Sequence, residues 1–346
     1  MNTILILYTE LMPYNVAVIR ALIKKDCRVH VVLQDTDKKT PYYPSEEEGV
    51  TYYKRSSFAK VSHLYMLVKR LAPDLIWTAG WLDPGYNKVV GAVRRKMHIP
   101  VVAGSDTQWR GGRQWLNVFT AFFRHHRWFS HLFVAGEWQM EYARKLGFRE
   151  DQILKHNLSA DVDLFTRIDL SVREKQYPRR LLYVGRFSKE KGLNYLLEAW
   201  KSIPDKKGWR LTLIGNGPER DKLCNIQDVE VLDFMDQSAL LLEMTVSGAF
   251  ILPSVFEPWA LVLHEAACAG LPILSSNRCG AVTCFVKEQG NGYLFIPDNV
   301  FSIRRSIEKL ITAGEGNWLR MGKNSRKLSL QITPEKVAET LLTVLR

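Results

Sequence analysis

Long apolar runs are missing from this chain. No stretch approaches the roughly 18–20 residues that a membrane-spanning helix needs, so the expectation is a soluble or peripheral protein rather than an integral one. The start, Met1-Asn2-Thr3-Ile4-Leu5-Ile6-Leu7-Tyr8, lacks the basic residues and small-residue cleavage site of a secretory signal and reads as a first buried strand. Cysteine is scarce. There are five, an odd number, none in a C-x-x-C pair, and the nearest two, Cys279 and Cys284, have no further ligands at zinc spacing. They are expected to be small hydrophobes and reduced thiols of a cytosolic protein. Glycine and proline are not in excess, and there is no internal repeat or low-complexity tract, which excludes collagen-like, coiled-coil and disordered classes.

What is present suits a two-domain α/β protein. The chain has 346 residues, 46% of them hydrophobic, which favours two cores over one. Strand-like and helix-like stretches alternate. Strands are expected at residues 3–8, 28–34, 74–78, 100–104 and 131–135, with helices at 16–25, 64–71, 86–97 and 114–129. Residues 167–178 carry charges, a proline and little apolar periodicity, as a linker would. The alternation then resumes, with strands at 180–185, 210–215, 229–232, 249–253, 272–275 and 292–296 and a helix at 193–203. Tandem βα domains, spanning about residues 1–165 and 166–346 with a ligand cleft between them, are the expected architecture. The last helix is a candidate to pack back on the N-terminal domain.

Three segments carry candidate chemistry. In Phe256-Glu257-Pro258-Trp259-Ala260-Leu261-Val262-Leu263-His264-Glu265-Ala266, a proline suited to a first helical turn and Gly270 suited to a helix end predict a helix over about 258–269. Glu257 would sit at its mouth. Glu265 would lie ~12 Å along the axis, with the free first-turn amides between the two acids. That arrangement fits a diphosphate flanked by two hydroxyl-rich rings. The plainer alternative is an acid favouring the helix dipole plus a solvated glutamate. In Gly185-Arg186-Phe187-Ser188-Lys189-Glu190-Lys191-Gly192, the glycine allows a tight exit from a strand, and Arg186 and Lys191 are cations able to neutralise a diphosphate. The alternative is a charged surface turn. Gly215-Asn216-Gly217-Pro218 lacks the spacing of a nucleotide fingerprint and reads as a turn.

In order, these segments form G-R-x-x-x-x-K-G, G-x-G-P, P-S-x-x-E-P, the E-x7-E pair, Ala269-Gly270-Leu271-Pro272-Ile273 and Asn291-Gly292-Tyr293-Leu294-Phe295. The set, from about Leu181 to Pro297, resembles the family-four (GT4) retaining glycosyltransferases of the GT-B type, with two Rossmann-like domains facing each other across a cleft. The resemblance implies a nucleotide-sugar donor, with UDP the commonest nucleotide, and no metal or other cofactor. It implies that Gly185, Arg186 and Lys191 hold the diphosphate. Glu257 would bind the transferred sugar and Glu265 the ribose. Pro258 and the amides of Trp259, Ala260 and Leu261 would cap the distal phosphate. Arg186, Lys191 and Glu257 are the implied catalytic groups.

The chain departs from the family pattern in three places. Ala260 stands where the family often has glycine. The loop Thr9-Glu10-Leu11-Met12-Pro13-Tyr14-Asn15 lacks the usual glycine pair. Ser105-Asp106 replaces a frequent His-Asp. Glu10 and Asp106 are the acceptor-side candidates. Asp161-Val162-Asp163 looks like a manganese-binding D-x-D, but its surroundings resemble the family's interdomain N-G-V-D stretch, so a structural role is expected.

Net charge is +12, from 48 Lys+Arg against 36 Asp+Glu. Between Lys88 and Arg127 stand eight basic residues (Lys88, Arg94, Arg95, Lys96, Arg110, Arg113, Arg124, Arg127) and one acid, Asp106. Trp115, Leu116, Phe119, Phe122, Phe123 and Phe129 interleave with these cations at near-helical spacing. The readings are a core-packing helix with solvated arginines, or a face resting on an anionic membrane. No nucleic-acid fold signature accompanies the charge, so nucleic acid is not an expected partner. The overall expectation is a cytoplasmic hexosyltransferase, peripheral on the inner membrane face, that builds surface polysaccharide on a lipid-linked glycan. The rivals are a nucleotide-sugar epimerase or sugar-phosphate synthase on the same fold, and a non-catalytic nucleotide-sugar-binding partner subunit.

Overall fold

In the computed structural model, residues 1–35, 44 and 46–345 are described. The chain forms two compact units, Met1–Ser159 with Ile332–Arg346, and Ala160–Gln331.

The first unit is built on a seven-stranded sheet. Its strands are β1 (Asn2–Tyr8), β2 (Cys27–Leu33), β3 (Val50–Lys54), β4 (Leu75–Thr78), β5 (Val101–Ser105), β6 (His131–Val134) and β7 (Ile153–Lys155). The order is β3-β2-β1-β4-β5-β6-β7, and every pairing is parallel. Residues 4–8 are all buried because helices cover both faces, and for that reason β1 reads as a continuous apolar run instead of alternating. One core packs Leu5, Leu7, Ile76, Val101 and Leu132 against Val89, Val90 and Val93 of the helix Pro84–Met97. The helix Pro334–Leu342 lies on the helix Pro13–Lys24, and Lys25 Nζ reaches Glu339 at 2.7 Å.

The second unit repeats the plan with β8 (Arg180–Val184), β9 (Arg210–Ile214), β10 (Val229–Leu232), β11 (Ala249–Leu252), β12 (Ile273–Ser276) and β13 (Gly292–Phe295). They are ordered β10-β9-β8-β11-β12-β13, again all parallel. In both sheets the strand order reverses beside the first strand of the unit, at β1/β4 and at β8/β11. In open parallel sheets the crevice at the carboxyl ends of such strands is where ligands bind.

Three sequence expectations are corrected. The helix over 114–129 is broken into Gln114–Thr120 and His125–Trp128. Between them the turn is irregular: Phe123 N–H donates to Thr120 O, three residues back, and His126 N–H to Ala121 O, five residues back. The aromatics there do not pack inward. Leu116, Phe119 and Phe122 are 69%, 75% and 72% exposed, and Trp115 and Phe123 are exposed as well. Only Phe129 of that set is buried.

The presumed linker at 167–178 is packed into the second unit and includes a short helix, Ser171–Lys175. Arg173 is buried there. It donates to the carbonyls of Ala269, Gly270 and Met244 at 2.8–2.9 Å, so one cation closes the carboxyl ends of two helices. Burial pulls its guanidinium down to about 10, still charged at neutral pH. The third correction, to the helix at 258–269, belongs to the site.

Candidate active site

Gly185 and Arg186 leave the end of β8, and the segment 253–260 leaves the end of β11. The two G-R-x-x-x-x-K-G and P-S-x-x-E-P segments therefore meet at the switch point of the second sheet. Their contact is intimate. Val255 N–H donates to Glu190 O at 2.8 Å. Gly192, at φ +67°, lies so close under the second loop that a Cβ would stand 2.4 Å from Pro253 O. The glycine-rich loop after β9 locks in from the other side. A Cβ on Gly215 would overlap Gly185 O, and Phe187 N–H donates to Asn216 O at 2.8 Å. Close backbone approach accounts for Gly215 and Gly217, and a turn is what the spacing suggests.

The proposed site residues sit around this junction. Lys191 Nζ forms an ion pair with Glu257 Oε2, and both side chains are largely buried. Ser254 Oγ lies 3.4 Å from the same carboxylate oxygen. Arg186 is 77% exposed and touches Glu190 at 3.4 Å. Glu190 also accepts from Ser188 Oγ at 2.6 Å, and this bond holds its carboxyl below the ordinary range. Glu265 is buried on the helix Leu261–Cys268, with Gln237 Nε2 3.5 Å away. Burial pushes its carboxyl up to about 7.

The helix starts later than its proline suggests. It runs Leu261–Cys268, and Pro258 and Trp259 precede it. Glu257 is instead bridged to Cys279. Its N–H donates to Arg278 O, and its carbonyl accepts from Gly280 N–H. Trp259 O accepts from Ala281 N–H at 2.9 Å. This pairing with 278–281 holds residues 257–259 out of helical geometry. Ala260 then turns the chain in a left-handed conformation, φ 74° and ψ 81°. That is the position where glycine is frequent in the family, and the conformation supplies the reason. The Trp259 ring is core, packed edge-on to Phe285, so only its main chain faces the loop. The first-turn amides of Leu261 and Val262 have no carbonyl within the helix to pair with.

His264 was quoted in the motif without a role, and its role is structural. Its ring stacks on Phe285, Nδ1 accepts from Ala160 N–H at 3.0 Å, and Nε2 donates to Ser329 O at 3.0 Å. Asp161 caps the short helix Val162–Phe165 by accepting from Leu164 N–H. Among the described residues no three His, Cys, Asp or Glu side chains converge as metal ligands. Three groups beside the site escaped the sequence reading: Glu190, Ser254 and Gln237. Only Gln237 had a visible signal, since Asp236 before the apolar run 239–242 marks a helix start. In the first unit, Glu10 follows β1 and Asp106 follows β5. Both lie at carboxyl strand ends, and Asp106 O accepts from Gln139.

Two Rossmann-like units, with cations, a paired carboxylate and a buried carboxylate at a switch point, define the class of GT-B glycosyltransferase folds. The chain belongs to the family-four glycosyltransferases. Residues 165–328 match the family described as Glycosyl transferases group 1, and residues 14–154 match Glycosyltransferase Family 4.

Among curated relatives, an uncharacterized glycosyltransferase of Methanocaldococcus jannaschii is 28% identical over 163 residues, 45% of this chain and 41% of that protein. One of Haemophilus influenzae is 30% identical over 169 residues, 46% and 47% of the two chains. The chain thus spans less than half the length of these relatives. Among solved structures, Anabaena HepE in complex with UDP superposes with a TM-score of 0.75 at 17% identity, covering 99% of both chains. Sucrose-phosphate synthase of Thermosynechococcus elongatus gives 0.75 at 19% identity, covering 99% and 98%. At these identities the likeness speaks for the fold.

Proposed function

We propose that the protein is a retaining, metal-independent hexosyltransferase that takes its sugar from a nucleoside diphosphate donor bound by the second unit. The observation that carries this reading is the Lys191–Glu257 pair at the β8/β11 switch point, with Arg186 beside it. The pair presents a cation toward a diphosphate and a carboxylate toward sugar hydroxyls. The bond between the anomeric carbon and the phosphate oxygen breaks first. Arg186, Lys191 and the amides of Ala260 and Leu261 stabilise the charge that gathers on the departing diphosphate. The acceptor oxygen attacks from the same face, and its proton passes to the leaving phosphate oxygen. Glu257 holds the sugar without attacking it, and Glu265 takes the ribose. UDP is the proposed nucleotide, an assignment that the UDP held by Anabaena HepE supports.

The proposed acceptor is a lipid-linked glycan, met at the inner face of a membrane, with Glu10 and Asp106 on the acceptor side. Support comes from the exposed Leu116, Phe119 and Phe122, which lie between Arg113 and Arg124 in the sequence. Among the described residues, no helix is long and apolar enough to cross a bilayer. The deciding experiment is a panel of nucleotide sugars with nucleotide release measured, with EDTA and with Mn²⁺. Release from one UDP-sugar that persists in EDTA is expected. Loss in EDTA restored by Mn²⁺ would return Asp161 and Asp163 to the site. No release from any donor would favour the non-catalytic partner reading.

A further inference from the structure

We propose that a groove in the first unit, between the helices Pro84–Met97 and His125–Trp128, holds the phosphate headgroup of an anionic phospholipid. The inference rests on the membrane-docking part of the proposed function and gives it a defined site. Lys88, Gly91 and Arg95 stand at i, i+3 and i+7 and share one helix face. Arg127, Phe123 and Trp128 form the opposite wall. No acidic side chain lines the groove. Lys88, Arg95 and Arg127 are exposed and pair with no carboxylate among the described residues. Cations that line one groove with no carboxylate among them favour an anion there.

The groove is built, not incidental. Arg94 spends its guanidinium on the carbonyls of His126 and Phe129, which fixes the short helix against the long one. His126 adds a bond to Leu146 O at 2.8 Å. Gly91 lets the two helices close on each other: a Cβ there would meet the Trp128 ring at 3.0 Å.

Two observations choose the occupant. First, the walls run toward the amino ends of the strands. The long helix ends at Met97 ahead of β5, and the short one at Trp128 leads into β6. Reacting ligands bind at the opposite, carboxyl ends, so neither donor nor acceptor phosphate accounts for this groove. Second, Phe123 lines it, and the exposed Phe119 and Phe122 lie in the segment that leads to that wall. A soluble phosphate gains nothing from such a rim, whereas a headgroup with acyl chains uses both parts.

The test is co-sedimentation of the full chain with vesicles of phosphatidylcholine, alone or mixed with phosphatidylglycerol. Wild type should bind only the mixed vesicles, and less in high salt. Lys88→Gln, Arg95→Gln and Arg127→Gln together should weaken that binding about a hundredfold, at roughly fivefold for each cation lost near the surface. Gly91→Ser, which presses the Trp128 wall outward without changing charge, should weaken it severalfold. Lys175→Gln, Lys201→Gln and Lys327→Gln, exposed in the second unit, make the same change in net charge and should have little effect. Equal losses in the two triple variants would overturn the groove and leave diffuse electrostatic docking standing. Displacement from vesicles by inorganic phosphate at constant ionic strength would reassign the groove to a soluble anion. Failure of wild type to bind mixed vesicles would overturn docking and groove together.

Discussion

At the scale of the residue, the site depends on which charges have partners before any donor arrives. Lys191 and Glu257 hold each other in a largely buried pair, while Arg186 reaches into solvent. In the proposed reaction the transition state places new charge on the diphosphate, so both cations are expected to matter more to rate than to binding of intact donor. Arg186→Ala and Lys191→Ala are each expected to lower kcat about a hundredfold, ~3 kcal/mol for a lost charge-assisted donor. Near-normal turnover in both would discard the assignment. Glu265 gives a second expectation. Its pKa of about 7 lies above the ordinary 4.5 because it is buried, and a ribose needs the ionised form as acceptor. Affinity for a UDP-sugar, whose diphosphate does not titrate in this range, should therefore fall as pH drops below 7. Glu265→Gln should flatten the profile. A flat profile in wild type between pH 5.5 and 8 would remove Glu265 from the ribose site. The chemical identity of these residues was legible in the sequence. Their pairing was not, because an ion pair between positions 191 and 257 depends on two loops meeting at a switch point.

Among the elements, the strands were the most legible. Those of the two sheet centres are short β-branched or leucine-rich runs bounded by breakers, and the expected ranges fall within two residues of β1, β8, β9 and β11. Edge strands β3 and β7 escaped because they are half-exposed and mixed in composition. The helix after Glu257 was misplaced for a different reason. Proline signals a first turn locally, but pairing with residues 278–281 overrides it, and Ala260 takes the turn instead. A non-glycine residue in the left-handed region costs roughly 1 kcal/mol. Ala260→Gly should therefore not destabilise the protein and should raise its urea midpoint, despite the greater freedom of the unfolded chain. A lowered midpoint would mean that the alanine methyl makes a compensating contact. The break at 121–124 was equally hidden. Its aromatic periodicity is helical on paper, yet the side chains face outward, and periodicity alone does not tell a buried stripe from an exposed one.

For the whole molecule, each unit encloses a neutral histidine. His125 sits under Trp81 in the first and His264 against Phe285 in the second. Burial lowers each ring to about 4 from 6.5. Burial also lowers His30, His131 and His156. The unfolded chain thus binds more protons between pH 6.5 and 4, so stability is fully present above 6.5 and declines on acidification. Glu265 works the other way between 4.5 and 7, but it is one group against five. Urea midpoints should fall from pH 7 to pH 5, and His125→Phe and His264→Phe should each reduce the slope. A midpoint that rises on acidification would contradict this balance. The tandem βα architecture was readable from alternation alone. The return of residues 332–346 to the first unit was anticipated only as a candidate packing of the last helix.

That return sets an order of events during synthesis. The helix Pro13–Lys24 emerges from the ribosome early, but its partner Pro334–Leu342 follows the whole of Ala160–Gln331. A nascent chain must therefore carry an unfinished first unit while the second is translated, and the second, contiguous in sequence, can close first. Ribosome-bound chains halted after Gln331 should show slow amide exchange in β8–β13 and faster exchange in Pro13–Lys24 than the released protein. Equal protection of that helix in both would mean that the late segment adds nothing to the early one.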